Sequence, residues 1–214
     1  MLYLLQKLFI NNFGTLRIFK SIIVRSSVAF AVAFLFMLMF GKPFIAWLKK
    51  KKYGDTAREE GPKSHFDKSG TPTMGGILII AAILFATLIA GNYENKFIVF
   101  LFFITILFTT IGFYDDYLKL TRHKNGLSGK KKIVGQLIIT AITFWFVYKF
   151  GLIDKKIDFS IVNPIIKNSY LYITPILFFV FMGFVIIGSS NAVNLTDGLD
   201  GLVSGPIIVV SITL

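Results

Sequence analysis

The chain has 214 residues, of which 55% are hydrophobic and only 16% are charged, and its mean hydropathy is +0.72. A soluble globular domain is about 25% charged, so this composition excludes an ordinary soluble protein. The absence of cysteine excludes a disulfide framework and a thiolate-bound metal. The formal net charge of +12 does not indicate a nucleic-acid partner. The basic residues lie in short loops beside apolar segments, where membrane lipids are the expected surroundings.

Six apolar segments follow one another, each bounded by charged residues, glycine or proline. They cover residues 22–40, 74–90, 97–114, 133–150 and 171–188, and a sixth begins at residue 202. A helix needs roughly 20 apolar residues to cross a bilayer and satisfies its own backbone groups in lipid. The predicted fold is therefore all-α, a polytopic transmembrane helical bundle with five complete spans and an unfinished sixth. We expect residues 1–214 to form a single integral-membrane domain, truncated at its C-terminus.

Two segments outside the predicted spans carry structural signals of their own. Residues 1–10 are mostly apolar, contain Lys7 and lack the flanks of a signal peptide, so we expect an interfacial amphipathic segment. Residues 151–170 contain glycine and an Asn-Pro step. This content is typical of an irregular or hairpin-like loop, which we expect on the external side.

Loop charge predicts the orientation in the membrane. The loops after the first and third spans are strongly basic, which marks them as cytoplasmic. Five spans then place residues 189–201 on the cytoplasmic side as well, so three polar clusters share one face. Four basic residues before or at the start of the first span oppose this assignment: Lys7, Arg17, Lys20 and Arg25. The two basic loops agree with each other, and the orientation rests on them.

Asp115 and Asp116 directly follow the third apolar segment. A solvated end of a span is the simplest explanation for two acids at this position. However, the negative end of a helix dipole and the neighbouring carboxylate both disfavour two charges here. An adjacent carboxylate pair suits Mg²⁺ or a general base. Lys119 follows one turn later and completes this candidate site.

Asn194, Asp197 and Asp200 are spaced three residues apart in a glycine-containing string. On a helix, this spacing places all three on one face. In a loop, the neighbouring glycines allow the backbone to approach a ligand closely. An N-cap followed by a tight turn is the alternative, although a cap requires only one such residue.

A third cluster leads into the second apolar segment. Lys68 is followed by the string Thr71-Pro72-Thr73 and by a glycine pair. Threonine and proline are ordinary residues at the start of a helix. With the upstream lysines the cluster also suits a diphosphate, but it does not match the P-loop pattern.

These strings, at residues 61–76, 113–117 and 191–201, resemble those of the polyprenyl-phosphate hexosamine-1-phosphate transferases. The string from Ser64 to Gly76 is similar to the muramoyl-pentapeptide branch of that family. The resemblance covers most of the chain from about Gly61 to Gly201, in the order and spacing of the family.

The resemblance implies a reaction and roles for the residues. Phospho-MurNAc-pentapeptide would move from UDP-MurNAc-pentapeptide to undecaprenyl phosphate with Mg²⁺, giving lipid I and UMP at the cytoplasmic face of the bacterial inner membrane. Either Asp115 or Asp116 would deprotonate or position the lipid phosphate, and Asn194 would help to hold the metal. The remaining candidates would bind substrate: Lys68, Thr73, Lys119, Asp197 and Asp200. A homodimer is an open alternative for the oligomeric state.

Members of this family continue beyond the length of this chain, with a later metal-binding aspartate and a histidine-containing loop. The resemblance therefore implies an N-terminal fragment, which we expect to be inactive by itself. Two other functions remain as alternatives. A sister enzyme would transfer GlcNAc-1-phosphate, and an ion-coupled transporter would carry ionisable groups near the bilayer midplane. The predicted span interiors contain almost no charge, which disfavours the transporter.

Overall fold

The computed structural model describes residues 1–9, 14–51, 74–121, 126–150, 159–163, 165–196 and 202–213. These residues form seven α-helices: α1 (Leu2–Phe9), α2 (Ile22–Lys50), α3 (Gly76–Ala90), α4 (Lys96–Thr121), α5 (Gly129–Lys149), α6 (Pro175–Thr196) and α7 (Ser204–Thr213). A 3₁₀ helix (Gly14–Lys20) precedes α2, and two short strands, β1 (Ser160–Val162) and β2 (Tyr170–Tyr172), precede α6.

The chain divides into two compact units, Met1–Ser128 and Gly129–Leu214. The first unit contains α1 to α4, and the second contains the two strands and α5 to α7. The expectation of one membrane domain over the whole chain stays a prediction.

The helices confirm the all-α polytopic fold. In the described part of the chain, α2, α4, α5 and α6 are long and apolar enough to cross a membrane. The helices α3 and α7 are apolar but shorter, at 15 and 10 residues. Each of the six apolar segments found in the sequence corresponds to one of these helices. The chain is therefore a multi-pass membrane protein.

Several helix ends differ from the predicted span ends. The helix α2 continues to Lys50, α4 to Thr121 and α6 to Thr196, and α6 begins at Pro175 instead of residue 171. The predicted ends mark where apolar sequence stops, whereas a helix continues as long as its backbone hydrogen bonds do. Proline at the first position of α6 fits a helix start, because its missing N–H group would have no partner there. The strand β2 ends at Tyr172, and two residues separate it from the start of this helix.

In the first unit, α3 packs against α2 through small residues. Ala82, Ala86 and Ala90 are 2 to 4% exposed and recur every fourth residue, which aligns them on one face of α3. Small side chains at this spacing let two helix backbones approach closely, which is how membrane helices commonly pack. Phe36 and Phe85 add a ring contact with centroids 5.5 Å apart.

The N-terminal helix α1 lies at the C-terminal end of α3. The amino group of Met1 donates to the carbonyl oxygen of Leu88 at 3.0 Å, and Lys7 forms an ion pair with Glu94 in the loop after α3. The residues before the first span and the loop between the second and third therefore meet at one end of this unit.

In the second unit, α5 packs against α6 around buried polar residues and one ring pair. Thr140 is fully buried, and a β-carbon placed on Gly183 of α6 would lie 4.0 Å from its methyl group. Phe144 and Phe179 meet edge to face at 5.2 Å. Before α6, β1 and β2 pair antiparallel, which agrees with the irregular or hairpin-like segment predicted for residues 151–170, although β2 continues to Tyr172.

Candidate active site

The adjacent acids lie within α4, more than one turn before its end at Thr121. The expectation that Asp115 and Asp116 end the span was therefore wrong about the helix boundary. Asp115 is 8% exposed, although it follows a long apolar run. A solvated span end does not bury a carboxylate, because burial of a charge is costly unless polar partners replace water.

Asp115 has polar partners in the described residues. Its Oδ1 accepts a hydrogen bond of 2.7 Å from the backbone N–H of Leu127, and its Oδ2 lies 3.0 Å from Nζ of Lys119. Lys119 also donates to Oδ1 of Asp116 at 2.9 Å. One ammonium is thus shared by two carboxylates. The spacing explains this, because residues three and four apart are neighbours on a helix surface.

The turn after α4 folds back onto the acids and requires a glycine. Gly126 has a φ of +54°, a conformation that L side chains rarely adopt. A β-carbon at this position would lie 2.6 Å from Oδ1 of Asp115 and 3.1 Å from side-chain carbons of Lys119. The glycine therefore permits the Leu127 N–H to reach Asp115. Sequence reasoning missed both residues, although the Asn125-Gly126 dipeptide is a recognised turn signal.

The cluster of Asp115, Asp116 and Lys119 carries one net negative charge. The side chain of Asp116 is 33% exposed, against 12% for that of Asp115. One carboxylate is therefore fixed in place and the other faces more solvent. Such a cluster can attract a cation or accept a proton from a bound substrate.

Asn194 lies in the last turn of α6, and its Oδ1 accepts a hydrogen bond of 3.0 Å from Nζ of Lys132 in the first turn of α5. The sequence analysis did not predict a contact between Lys132 and Asn194. The two are 62 positions apart in sequence, and no local pattern joins them.

A buried polar network holds α5 against α6 next to Asn194. Gln136 is 1% exposed. Its Nε2 donates to Oγ of Ser190 at 3.2 Å, and its Oε1 accepts from Nδ2 of Asn191 at 2.9 Å. The nitrogen and the oxygen of the Gln136 amide thus each form a hydrogen bond from α5 to a side chain of α6. This network, like Lys132, was missed, because a lone glutamine within an apolar segment gives no specific signal.

The structure brings Asp115, Asp116 and Lys119 together within the first unit and places Asn194 beside Lys132 in the second. The remaining predicted substrate-binding residues lie outside the described residues: Lys68, Thr73, Asp197 and Asp200. The described residues contain no group of three or more His, Cys, Asp or Glu side chains that could hold a metal. Their carboxylate pair still fits Mg²⁺, which commonly binds one or two protein carboxylates together with substrate phosphates.

Comparison with known protein families identifies the family of the chain. Residues 97–214 match the model of glycosyl transferase family 4. The chain belongs to glycosyl transferase family 4. The matched region contains Asp115, Asp116, Lys119 and Asn194. Residues 68–80 also match signature 1 of phospho-N-acetylmuramoyl-pentapeptide-transferase, and this string includes Lys68 and Thr73.

Individual members of glycosyl transferase family 4 are similar along nearly the whole chain. A phospho-N-acetylmuramoyl-pentapeptide-transferase of Fusobacterium nucleatum is 44% identical over 215 residues, which are 100% of this chain and 58% of that relative. An enzyme of the same name from Francisella tularensis subsp. holarctica is 40% identical over 203 residues, 94% of this chain and 55% of that relative. The chain thus spans just over half the length of these relatives.

Proposed function

We propose that the protein containing this chain transfers phospho-MurNAc-pentapeptide from UDP-MurNAc-pentapeptide to undecaprenyl phosphate. The products would be lipid I and UMP, in the first membrane step of peptidoglycan synthesis. The observation that carries this proposal is the match of residues 68–80 to the signature of the transferase. The identity of 39 to 44% with relatives of the same name supports it.

The geometry of the acid cluster suits phosphoryl transfer. This reaction depends on in-line positioning of the reacting oxygens and on neutralisation of their charge more than on covalent chemistry from the protein. Asp115 is fixed by Lys119 and by the backbone N–H of Leu127. The pair can then hold or remove a proton at the phosphate of the acceptor lipid, while Lys119 balances part of the negative charge. Which of the two acids accepts the proton stays open.

The same carboxylates would hold Mg²⁺, a role that the family resemblance also implies for Asn194. When bound, the metal would neutralise charge on the diphosphate of the nucleotide sugar. Lys119 already places a positive charge within 3.0 Å of both carboxylates, which indicates that the cluster favours a cation. By position in the family strings, Lys68, Thr73, Asp197 and Asp200 would contact the nucleotide sugar.

We further propose that the site faces the cytosol from the bacterial inner membrane. The strongly basic loops after the first and third spans support this orientation. The contacts of α1 with Leu88 and Glu94 place the residues before the first span at the same end of the first unit as loop 91–95, which the charge pattern predicts to be external.

The deciding experiment is an assay of UMP release by the full-length protein from UDP-MurNAc-pentapeptide. We expect release only when undecaprenyl phosphate is present, and none from UDP-GlcNAc. Release from UDP-GlcNAc instead would favour the sister enzyme. Release without the acceptor lipid would contradict a direct transfer to undecaprenyl phosphate.

A further inference from the structure

An apolar cleft lies between α2, α3 and α4 in the first unit. It has a volume of about 360 Å³, and its walls include Ile83, Leu84, Leu101 and Phe102. None of the residues that line it is acidic. In a membrane protein, a cleft with such walls can hold hydrocarbon without loss of hydrogen bonds.

The polar end of the cleft is formed by Arg25, Ser26, Gly91 and Asn92. The Nη1 atom of Arg25 donates to the carbonyl oxygens of Phe19 and Lys20, both at 2.9 Å. These bonds fix the guanidinium at the mouth of the cleft and use one of its three nitrogens. An arginine held in this way presents a planar set of donors suited to a phosphate.

Arg25 is not the only cation at this end. Arg17 and Lys20 of the preceding 3₁₀ helix are exposed. Within the described part of the chain, no ion pair joins Arg17, Lys20 or Arg25 to a carboxylate, whereas Lys7 pairs with Glu94. Arg17, Lys20 and Arg25 are among the basic residues that oppose the predicted orientation. Three cations at an interface without acidic partners call for a counter-charge from outside this part of the chain.

We propose that the cleft binds an anionic glycerophospholipid, with its phosphate at Arg25 and an acyl chain between α2, α3 and α4. The lipid would supply the missing counter-charge, since anionic headgroups attract interfacial Arg and Lys by about 1 kcal/mol each. It would also explain why basic residues are tolerated on the predicted external side.

This lipid site is distinct from the acid cluster. Both lie along α4, where Ile98 borders the cleft and Asp115 belongs to the cluster. Seventeen residues of helix separate these two positions, or about 25 Å at 1.5 Å per residue. A phosphate at Arg25 therefore cannot reach Asp115, so the bound lipid is not the acceptor in the proposed reaction.

The test uses the full-length protein in detergent and native mass spectrometry with phosphatidylglycerol or phosphatidylcholine of identical chains. We expect the wild type to prefer phosphatidylglycerol. Arg25→Gln should weaken its binding about tenfold, as expected for the loss of one charge-assisted contact, and Arg25→Lys should recover much of the preference. Ala29→Phe, which fills the cleft, should remove the tightest-bound lipid.

Two matched controls lie on the same helix. Lys50→Gln removes the same charge at the far end of α2, and Ala31→Phe adds the same ring at an exposed position outside the cleft. Neither should change lipid binding. Equal binding of both lipids by the wild type, or unchanged phosphatidylglycerol binding in both Arg25→Gln and Ala29→Phe, would overturn the assignment. Displacement of the lipid by undecaprenyl phosphate would overturn it as well.

Discussion

At the scale of single residues, the burial of Asp115 is the feature that separates a site from an ordinary span end. From the sequence, a solvated span end was the simplest explanation for the two acids, and a Mg²⁺ or general-base site was the favoured one. In the structure, one acid is buried and bonded to a backbone N–H that comes from a turn 12 residues away. Carboxylates fixed in this way are pre-organised, so they need little rearrangement when a substrate arrives.

We therefore expect Asp115→Asn and Asp116→Asn to reduce turnover of the full-length protein by a hundredfold or more. Loss of a positioned base or charge partner typically costs on this order. UMP release measured in membranes with matched protein levels would check this. Wild-type turnover in both variants would return the pair to the role of a solvated helix segment.

Gly126 provides a second test of the same cluster. Gly126→Ala should destabilise the turn by about 1–2 kcal/mol, because alanine disfavours a positive φ, and its methyl group would displace Asp115. We expect a lower thermal midpoint together with reduced turnover. The control is Gly129→Ala, since a β-carbon there meets nothing within 4 Å. Equal behaviour of the two variants would show that the turn does not support the acids.

At the scale of elements, polar contacts between helices decide which faces meet. Gln136, Ser190 and Asn191 join α5 to α6 within two turns of Asn194. The helix α5 also carries Thr143, which is buried and, among the described residues, donates only to the carbonyl oxygen of Ile139 in its own helix. A buried polar residue therefore does not by itself hold two helices together, and its partner has to be identified.

We expect Gln136→Leu to destabilise the second unit by about 0.5–2 kcal/mol, the range for hydrogen bonds between membrane helices. Because the network lies next to Asn194, the variant should also shift the Mg²⁺ dependence of turnover. Thr143→Val removes a buried hydroxyl without touching α6 and should leave that dependence unchanged. If both variants unfold at the same temperature and need the same Mg²⁺ concentration, the network has no positioning role.

The attachment of α1 should depend on pH. The hydrogen bond with Glu94 raises the pKa of Lys7, and the same bond lowers the pKa of Glu94. The contribution of Glu94 is present above its unfolded pKa and is lost as the pH falls through its lower folded value. That of Lys7 is present below its unfolded pKa and is lost as the pH rises through its higher folded value.

The protection factors of residues 2–9 against hydrogen exchange, which correct for the intrinsic pH dependence of exchange, should therefore fall below about pH 4 and above about pH 10 and stay level between, as the ordinary pKa values of Glu and Lys imply. The variant Glu94→Gln should abolish only the change below about pH 4, which is called the acidic limb. An acidic limb that persists in Glu94→Gln would show that another group controls the attachment.

At the scale of the whole molecule, orientation follows from the distribution of charge among loops. We predict that residues 49–68, 119–132 and 189–201 of the full-length protein all face the cytosol. Cysteines introduced at Ser64, Ser128 and Ser190 should resist an impermeant thiol reagent in intact cells, whereas a cysteine at Asn92 should react. Labelling of any of the first three from outside would contradict the shared face.

The sequence by itself determined the class of protein, the number and approximate position of the apolar helices, and the residues of the acid pair. These properties depend on the local chain, because apolar length and adjacent charges are read without knowledge of packing. It also predicted the hairpin before α6. It placed the ends of the third and fifth spans at residues 114 and 188, before the helix ends at Thr121 and Thr196, because hydropathy detects the length of apolar sequence and not backbone hydrogen bonding.

Only the tertiary structure decided which groups meet. It paired Asp115 with the Leu127 N–H across a turn that needs Gly126, and Asn194 with Lys132 across 62 positions. It also placed Arg25 at the mouth of a cleft made by three helices. Such contacts depend on how helix faces pack and on where the backbone leaves room for a partner. No residue pattern in a single segment carries that information, because each contact is a property of two or more segments together.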